Sequence, residues 1–225
     1  MATRTMFNDP FECRPRLSHE CTRTELATYA DRVLRKTPLT ASQRRARVAE
    51  IVRTRRDMLP RDFLGVVQQL NDQMDRNVGL FCLSAKPDHL LMWSHYSDSH
   101  SGICVGFDCE SKDSPFRNAR RVVYRSSYPV CRVFAEAPEL IQEKGTFTKA
   151  DDWSYEEEWR LVNFRDGACT KRFDPRFLKS VILGARISPD RAAEVVGLTR
   201  ANFPHAVLLR AVLRKSAYGL DLVPA

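Results

Sequence analysis

The sequence holds no pair of cysteines at CxxC spacing; its seven cysteines are an odd number, and the nearest two are Cys104 and Cys109. That pattern excludes both the disulfide framework of a small secreted domain and a zinc ribbon, and makes a reducing cytoplasm the expected compartment. No apolar run approaches the roughly 20 residues needed to cross a bilayer, and the opening MATRTMFNDPFEC has no apolar core of a signal peptide, so no membrane insertion is expected. Gly102 and Gly106 stand outside any GxGxxG or P-loop pattern, which argues against a Rossmann-type dinucleotide fold. Internal repeats and low-complexity tracts are also missing.

What is present is ordinary for a globular chain. At 225 residues, 43% hydrophobic and 28% charged, it can bury a core without a disulfide or metal staple. Lys and Arg number 36 against 28 Asp and Glu, a net +8, but the excess is local: residues 35–61 hold nine basic residues against two acids. Arg44, Arg45, Arg47, Arg53, Arg55 and Arg56 fall on one expected helix. At 100° per residue only Arg45, Arg53 and Arg56 share an arc of about 80°, and no aromatic residue interleaves them to stack a base. A solvated face with arginine stems beside the core explains the run; a polyanion-binding helix built on Arg45, Arg53 and Arg56 is the alternative.

The periodicity predicts an α+β chain read as one domain over 1–225, with a helical insertion at 24–76 and a sheet-rich core at 77–225. Thr24 is placed to cap a first helix ending near Lys36, before Pro38. Thr40 or Ser42 caps a second, with Ala41, Val48, Ile51, Val52 and Leu59 on one face, ended by Pro60. A third buries Phe63, Val66, Val67, Leu70 and Met74. Strands are expected at 78–84, 102–108, 120–125, 158–164, 180–187, 206–213 and near the GLDLV end, forming a mixed or antiparallel central sheet. A short helix or turn is expected through LLMWSHYS, and helices at 136–144 and 188–200.

Three blocks could carry chemistry. In residues 82–108, Trp93, Ser94, His95 and Tyr96 sit together between two strands, where a rigid sheet would display them; buried packing of the Trp and Tyr is the plainer alternative. His95, Asp98 and His100 match no metal-ligand spacing. On a strand beginning near Glu156, alternation puts Glu156, Glu158 and Arg160 on one side and Glu157 and Trp159 on the other. A carboxylate beside an arginine reads either as an ion pair with one face in water or as a polarised acid at a pocket edge. FNDPFE reads as a turn, its Asn8 and Asp9 binding nearby backbone. Cys82, Cys104 and Cys131 lie in apolar surroundings and are assigned to the core.

Taken in order, FNDPFE, CLSAKPDHLLMWSHYSDSHSGICVGFD, WSYEEEWRL and VILGARI resemble the largely bacterial family catalogued as domain of unknown function 2971, over about Phe7 to Ile187. The resemblance implies a further strand-bearing segment of roughly 25 residues before the FNDPF turn, whereas six residues precede Phe7 here.

The motif order also resembles that of ADP-ribosyltransferase-like enzymes, which would make NAD the substrate. Under that likeness Glu158, His95 and Tyr96 are the catalytic candidates, and Asn8, Asp9, Trp93, Ser94 and Arg160 the substrate-binding ones. Glu158 would stabilise oxocarbenium character on the ribose as nicotinamide leaves. Two other classes stand beside it. One is a non-enzymatic or nucleic-acid-associated module of a bacterial defence or toxin system; the other is a metal-dependent hydrolase using His95, His100 and Asp108.

Overall fold

The computed structural model describes residues 1–54 and 59–225, the side chains of 59–62 excepted. After a short strand at Arg16–Ser18 come three helices: α1 (Arg23–Leu34), α2 (Ala41–Thr54) and α3 (Leu59–Asn77). α1 starts two residues earlier than expected because Thr22, not Thr24, caps it. The Thr22 hydroxyl accepts from the Glu25 amide and the Glu25 carboxylate accepts from the Thr22 amide, an arrangement that contributes about 1 kcal/mol. Thr40 and Gln43 repeat the exchange at α2. Pro60 lies in the first turn of α3 rather than closing α2, where its missing N–H leaves no bond unmade. Of the expected stripes, Val52 of α2 and Phe63, Val66 and Leu70 of α3 lie against Leu26, Val133 and Phe134, and Met74 against Cys13, Val78 and Leu80; no residue of α2 is fully buried, and Ala41 is exposed.

The strands are β1 (Arg16–Ser18), β2 (Gly79–Ser84), β3 (Ile103–Phe107), β4 (Arg120–Arg121), β5 (Val123–Arg125), β6 (Val130–Arg132), β7 (Thr148–Ala150), β8 (Glu158–Asn163), β9 (Leu178–Leu183), β10 (Val207–Leu213) and β11 (Leu220–Pro224). The helices among them are α4 (Leu90–Tyr96), α5 (Pro138–Phe147) and α6 (Pro189–Asn202). The fold is α+β, but among the described residues the strands form several sheets rather than one central sheet. Strand order β11-β10-β9-β3 forms a mixed four-stranded sheet in which only β9 and β10 run parallel; β2-β8-β4 is antiparallel; β1 with β6 and β5 with β7 are parallel pairs. The expected strand at 120–125 is therefore two short ones, split at buried Val122 between different sheets.

The larger sheet buries Val181, Ile182 and Leu183 from β9 and Ala211 from β10. Trp93 from α4 joins this core beside Ile182, Ala211 and Leu220. The antiparallel sheet instead sets polar groups inward. Glu158 and Arg160 of β8 are buried while Trp159 between them is 39% exposed, the alternation a strand imposes. Among the described residues no helix is long and apolar enough to cross a membrane.

Candidate functional site

The register of β2 against β8 pairs Cys82 with Arg160 and Ser84 with Glu158. Directly opposed residues of an antiparallel pair share a face, so all four lie on one side of the sheet. Just before β8 the chain leaves a 3-10 turn (Asp151–Glu156) through Glu157, whose φ of 43° is left-handed. That conformation is unfavourable for a non-glycine residue. Its consequence is that Glu156 and Glu158 both point inward, at 2% and 4% exposure. The Ser84 hydroxyl donates to the Glu156 carbonyl at 2.7 Å and fixes the turn.

Five charged side chains meet there. Lys149, on β7, places Nζ 2.5 Å from Glu156, 3.3 Å from Glu158 and 3.4 Å from Glu12. Arg160 is fully buried. Its Nε and Nη2 donate to the two oxygens of Glu158 at 2.7 and 2.8 Å, Nη2 also to Glu12, and Nη1 to the Thr146 carbonyl at 2.5 Å. The Tyr96 hydroxyl donates to Glu156 Oε1 at 2.8 Å. Backbone is enlisted as well, the Glu158 amide donating to the Tyr124 hydroxyl at 2.8 Å. Burying so many charges is tolerable only because each has partners.

The protonation states follow from those contacts. Burial would push the Glu158 carboxyl up, but the Arg160 hydrogen bonds and charge, with Lys149 and the Cys82 thiol, outweigh it and hold it below the ordinary value. Burial wins at Glu12, whose carboxyl is raised despite Arg160 and Lys149. For Lys149 burial opposes the charge, yet Glu158, Glu12 and Glu156 together raise its pKa, so it stays an ammonium. Tyr96 is raised by burial and by its bond to Glu156, so it stays a phenol. The thiols stay protonated too: burial lifts Cys13 to about 11 and raises Cys82.

This network forms one wall of a cavity of about 450 Å³. Asn8, Asp9 and Glu12 from the first block, Tyr96 and Met92 from the second, and Lys149, Trp153, Glu156 and Glu158 from the third all line it. Of the residues singled out from sequence, Asn8, Asp9, Tyr96 and Glu158 are thus brought together. Arg160 is not at the surface of the cavity; it lies behind, holding Glu158 and Glu12. The alternative of an ion pair with one face in water is corrected by its complete burial.

Trp93, Ser94 and His95 do not line the cavity. α4 spreads four successive side chains around its axis, about 100° apart: Trp93 enters the core and donates to the Pro87 carbonyl at 2.8 Å, while Ser94 and His95 face out. His95 touches Tyr96 only edge-on, at 6.4 Å between ring centroids. Asp108, the third candidate hydrolase ligand, is spent on the Glu110 and Ser111 amides, the Ser111 hydroxyl and Lys179. Among the described residues no three His, Cys, Asp or Glu side chains converge as metal ligands.

Sequence reasoning missed Lys149, Glu12 and Trp153 as lining residues, although each lies inside or beside a block it quoted, and gave Glu156 no role. On α2, Arg44 is paired with Asp31 and Arg47 with Glu50. Arg45 and Arg53 are exposed, and Arg55 and Arg56 lie outside the described residues.

An α+β chain with a carboxylate-rich cavity beside an antiparallel sheet is the class that fold and site define. Residues 92–161 match the family described as Protein of unknown function (DUF2971). The match takes in Tyr96, Lys149, Trp153, Glu156, Glu158 and Arg160. Neither the curated proteins nor the solved structures yield a match to the chain.

Proposed function

We propose that the cavity binds a ribosyl-bearing small molecule, with NAD as the substrate, and cleaves its N-glycosidic bond in the manner of ADP-ribosyltransferase-like enzymes. The observation that supports this most is the convergence of Tyr96, Glu156 and Glu158 on one cavity that also takes in Asn8, Asp9 and Trp153. In the reaction the bond from ribose C1′ to the pyridinium nitrogen breaks and its electron pair goes to that nitrogen, so nicotinamide leaves neutral. The ribosyl carbon is left with oxocarbenium character, and water or an acceptor nucleophile adds there, releasing a proton. Departure needs no general acid. It needs fixed negative charge and a hydrogen-bond acceptor for the ribose hydroxyls, stronger in the transition state than before it.

The inventory of lone pairs decides which carboxylate serves. Glu158 accepts from Arg160 at both oxygens and from Lys149 at one, which leaves it a single free lone pair. Glu156 accepts one bond at each oxygen, from Tyr96 and from Lys149, and keeps a free lone pair on each. Glu156 is therefore the carboxylate that meets the ribose, oriented by Tyr96 and Lys149, and Glu158 with Arg160 supplies the fixed field behind it. Because Tyr96 and Lys149 keep their protons, the donors are set before substrate arrives. The test is nicotinamide release from NAD. Glu156→Gln should lower it by about 100-fold or more with an unchanged circular dichroism spectrum; a variant as active as the parent chain removes the proposal.

A second reading is favoured by one observation: exposed Arg45 and Arg53 have no acidic partner among the described residues. A polyanion on α2 would bind through them and lose affinity steeply as salt rises. RNA or DNA retention that is flat between about 50 and 200 mM salt, or unaltered in Arg45→Ala with Arg53→Ala, removes that reading.

A further inference from the structure

The cavity's charge is one-sided. Asp9, Glu12, Glu156 and Glu158 face it, and the balancing cations are Lys149 at its wall and Arg160 behind it. Even with a proton on Glu12 the carboxylates outnumber the cations. The rest of the lining is uncharged and includes the rings of Phe7, Tyr96 and Trp153. Two of those rings already stand beside cations: Lys149 Nζ lies 5.0 Å from the Trp153 centroid, and Arg160 lies 5.9 Å from that of Phe7. Tyr96, 54% exposed, has no cation over its ring among the described residues, and its hydroxyl is anchored to Glu156. An aromatic face tethered to a carboxylate, inside a cavity of net negative charge, attracts a positive ring by electrostatics and by its quadrupole together.

We propose that the cavity selects a flat organic cation of the N-alkylated pyridinium type over its neutral analogue. The selectivity rests on the reading above for the identity of the whole substrate, and it names the charge on the leaving group as the feature recognised. Oxidised NAD carries that charge; the reduced form does not. Asp9 contributes from the turn, where its Oδ1 accepts from the Phe11 amide at 2.9 Å, so an asparagine there keeps the turn and loses only the charge.

The experiment is isothermal titration of the full chain with 1-methylnicotinamide, a cation, and with nicotinamide, neutral and nearly the same size. The cation should bind about ten-fold tighter, and Asp9→Asn should weaken the cation about three-fold while leaving nicotinamide unchanged. Glu156→Gln should narrow the preference further. Equal affinities, a preference for nicotinamide, a preference untouched by both substitutions, or no binding of the cation up to about 10 mM overturns the proposal. Tighter binding of the cation with no release of nicotinamide from NAD upholds it and removes the glycosidic reading. Release of nicotinamide with equal affinity for the two probes does the reverse.

Discussion

Replacing Arg160 with methionine removes the group on which the buried network turns. The side chain is fully buried and donates to both oxygens of Glu158, to Glu12 and to the Thr146 carbonyl. Without it two carboxylates in the interior are left to Lys149 alone. Breaking a buried ion pair from one side costs about 3 to 5 kcal/mol, a large share of the roughly 5 to 15 kcal/mol that holds a domain folded. For a chain of this size that is a fall in Tm of about 6 to 20 °C. Arg160→Lys keeps the charge but not the two-pronged geometry and should lose about 1 to 3 kcal/mol. Urea unfolding of Arg160→Met, Glu158→Gln and the double variant measures the coupling. It should exceed about 1 kcal/mol, since Arg160 has lost its paired acceptor once Glu158 is neutralised. An Arg160→Met chain within about 1 kcal/mol of the parent, or additive single effects, would refute the reasoning.

The same network sets two opposing pH dependences. The folded-state value of Glu158 lies below the ordinary 4.5, so its contribution is complete above that range and is lost as pH falls through the lowered value. Glu12 is raised above 4.5, so it holds its proton more tightly in the folded chain and stability falls as pH climbs through the raised value. Denaturant midpoints against pH should therefore lose that second slope in Glu12→Gln, and an unchanged profile would contradict the assignment. At the β3–β9 end, a Cβ on Gly184 would collide with the carbonyl oxygens of His100 and Gly102; Gly184→Ala should cost about 1 to 3 kcal/mol by urea midpoint. Leu183, 1% exposed in the core, should cost about 2 to 5 kcal/mol when cut to alanine.

The long strands were legible because β-branched and apolar runs such as SVILGARI and AVLLRAVL need no context to be read. β1, β6 and β7 were not, since three residues hold too little alternation to register. The helical stripe of α3 was legible, but of the face expected on α2 only Val52 packs on the core, and the cap of α1 was misplaced by two residues because Thr22 and Thr24 are both competent and only the Glu25 partner decides. In the EEEWR block, strand alternation put Glu156, Glu158 and Arg160 on one side but did not say that this side is buried; the strand begins only at Glu158, and Glu156 turns in through the left-handed Glu157. WSHY was the least readable block: adjacency in sequence suggested a shared site, and a helix disperses adjacent residues. Lys149 and Glu12 carry no local mark of their role, which arises from contacts between β7, β8 and the FNDPFE turn that only the fold creates.

Diffraction from crystals soaked in NAD tests the central claim most directly, that the cavity walled by Tyr96, Glu156 and Glu158 is where ligand binds. The account predicts a pyridinium ring, or its ribosyl remnant, seated against Tyr96 with a ribose hydroxyl within hydrogen-bond reach of Glu156. Density for the nucleotide elsewhere on the chain, with that cavity empty, would contradict it.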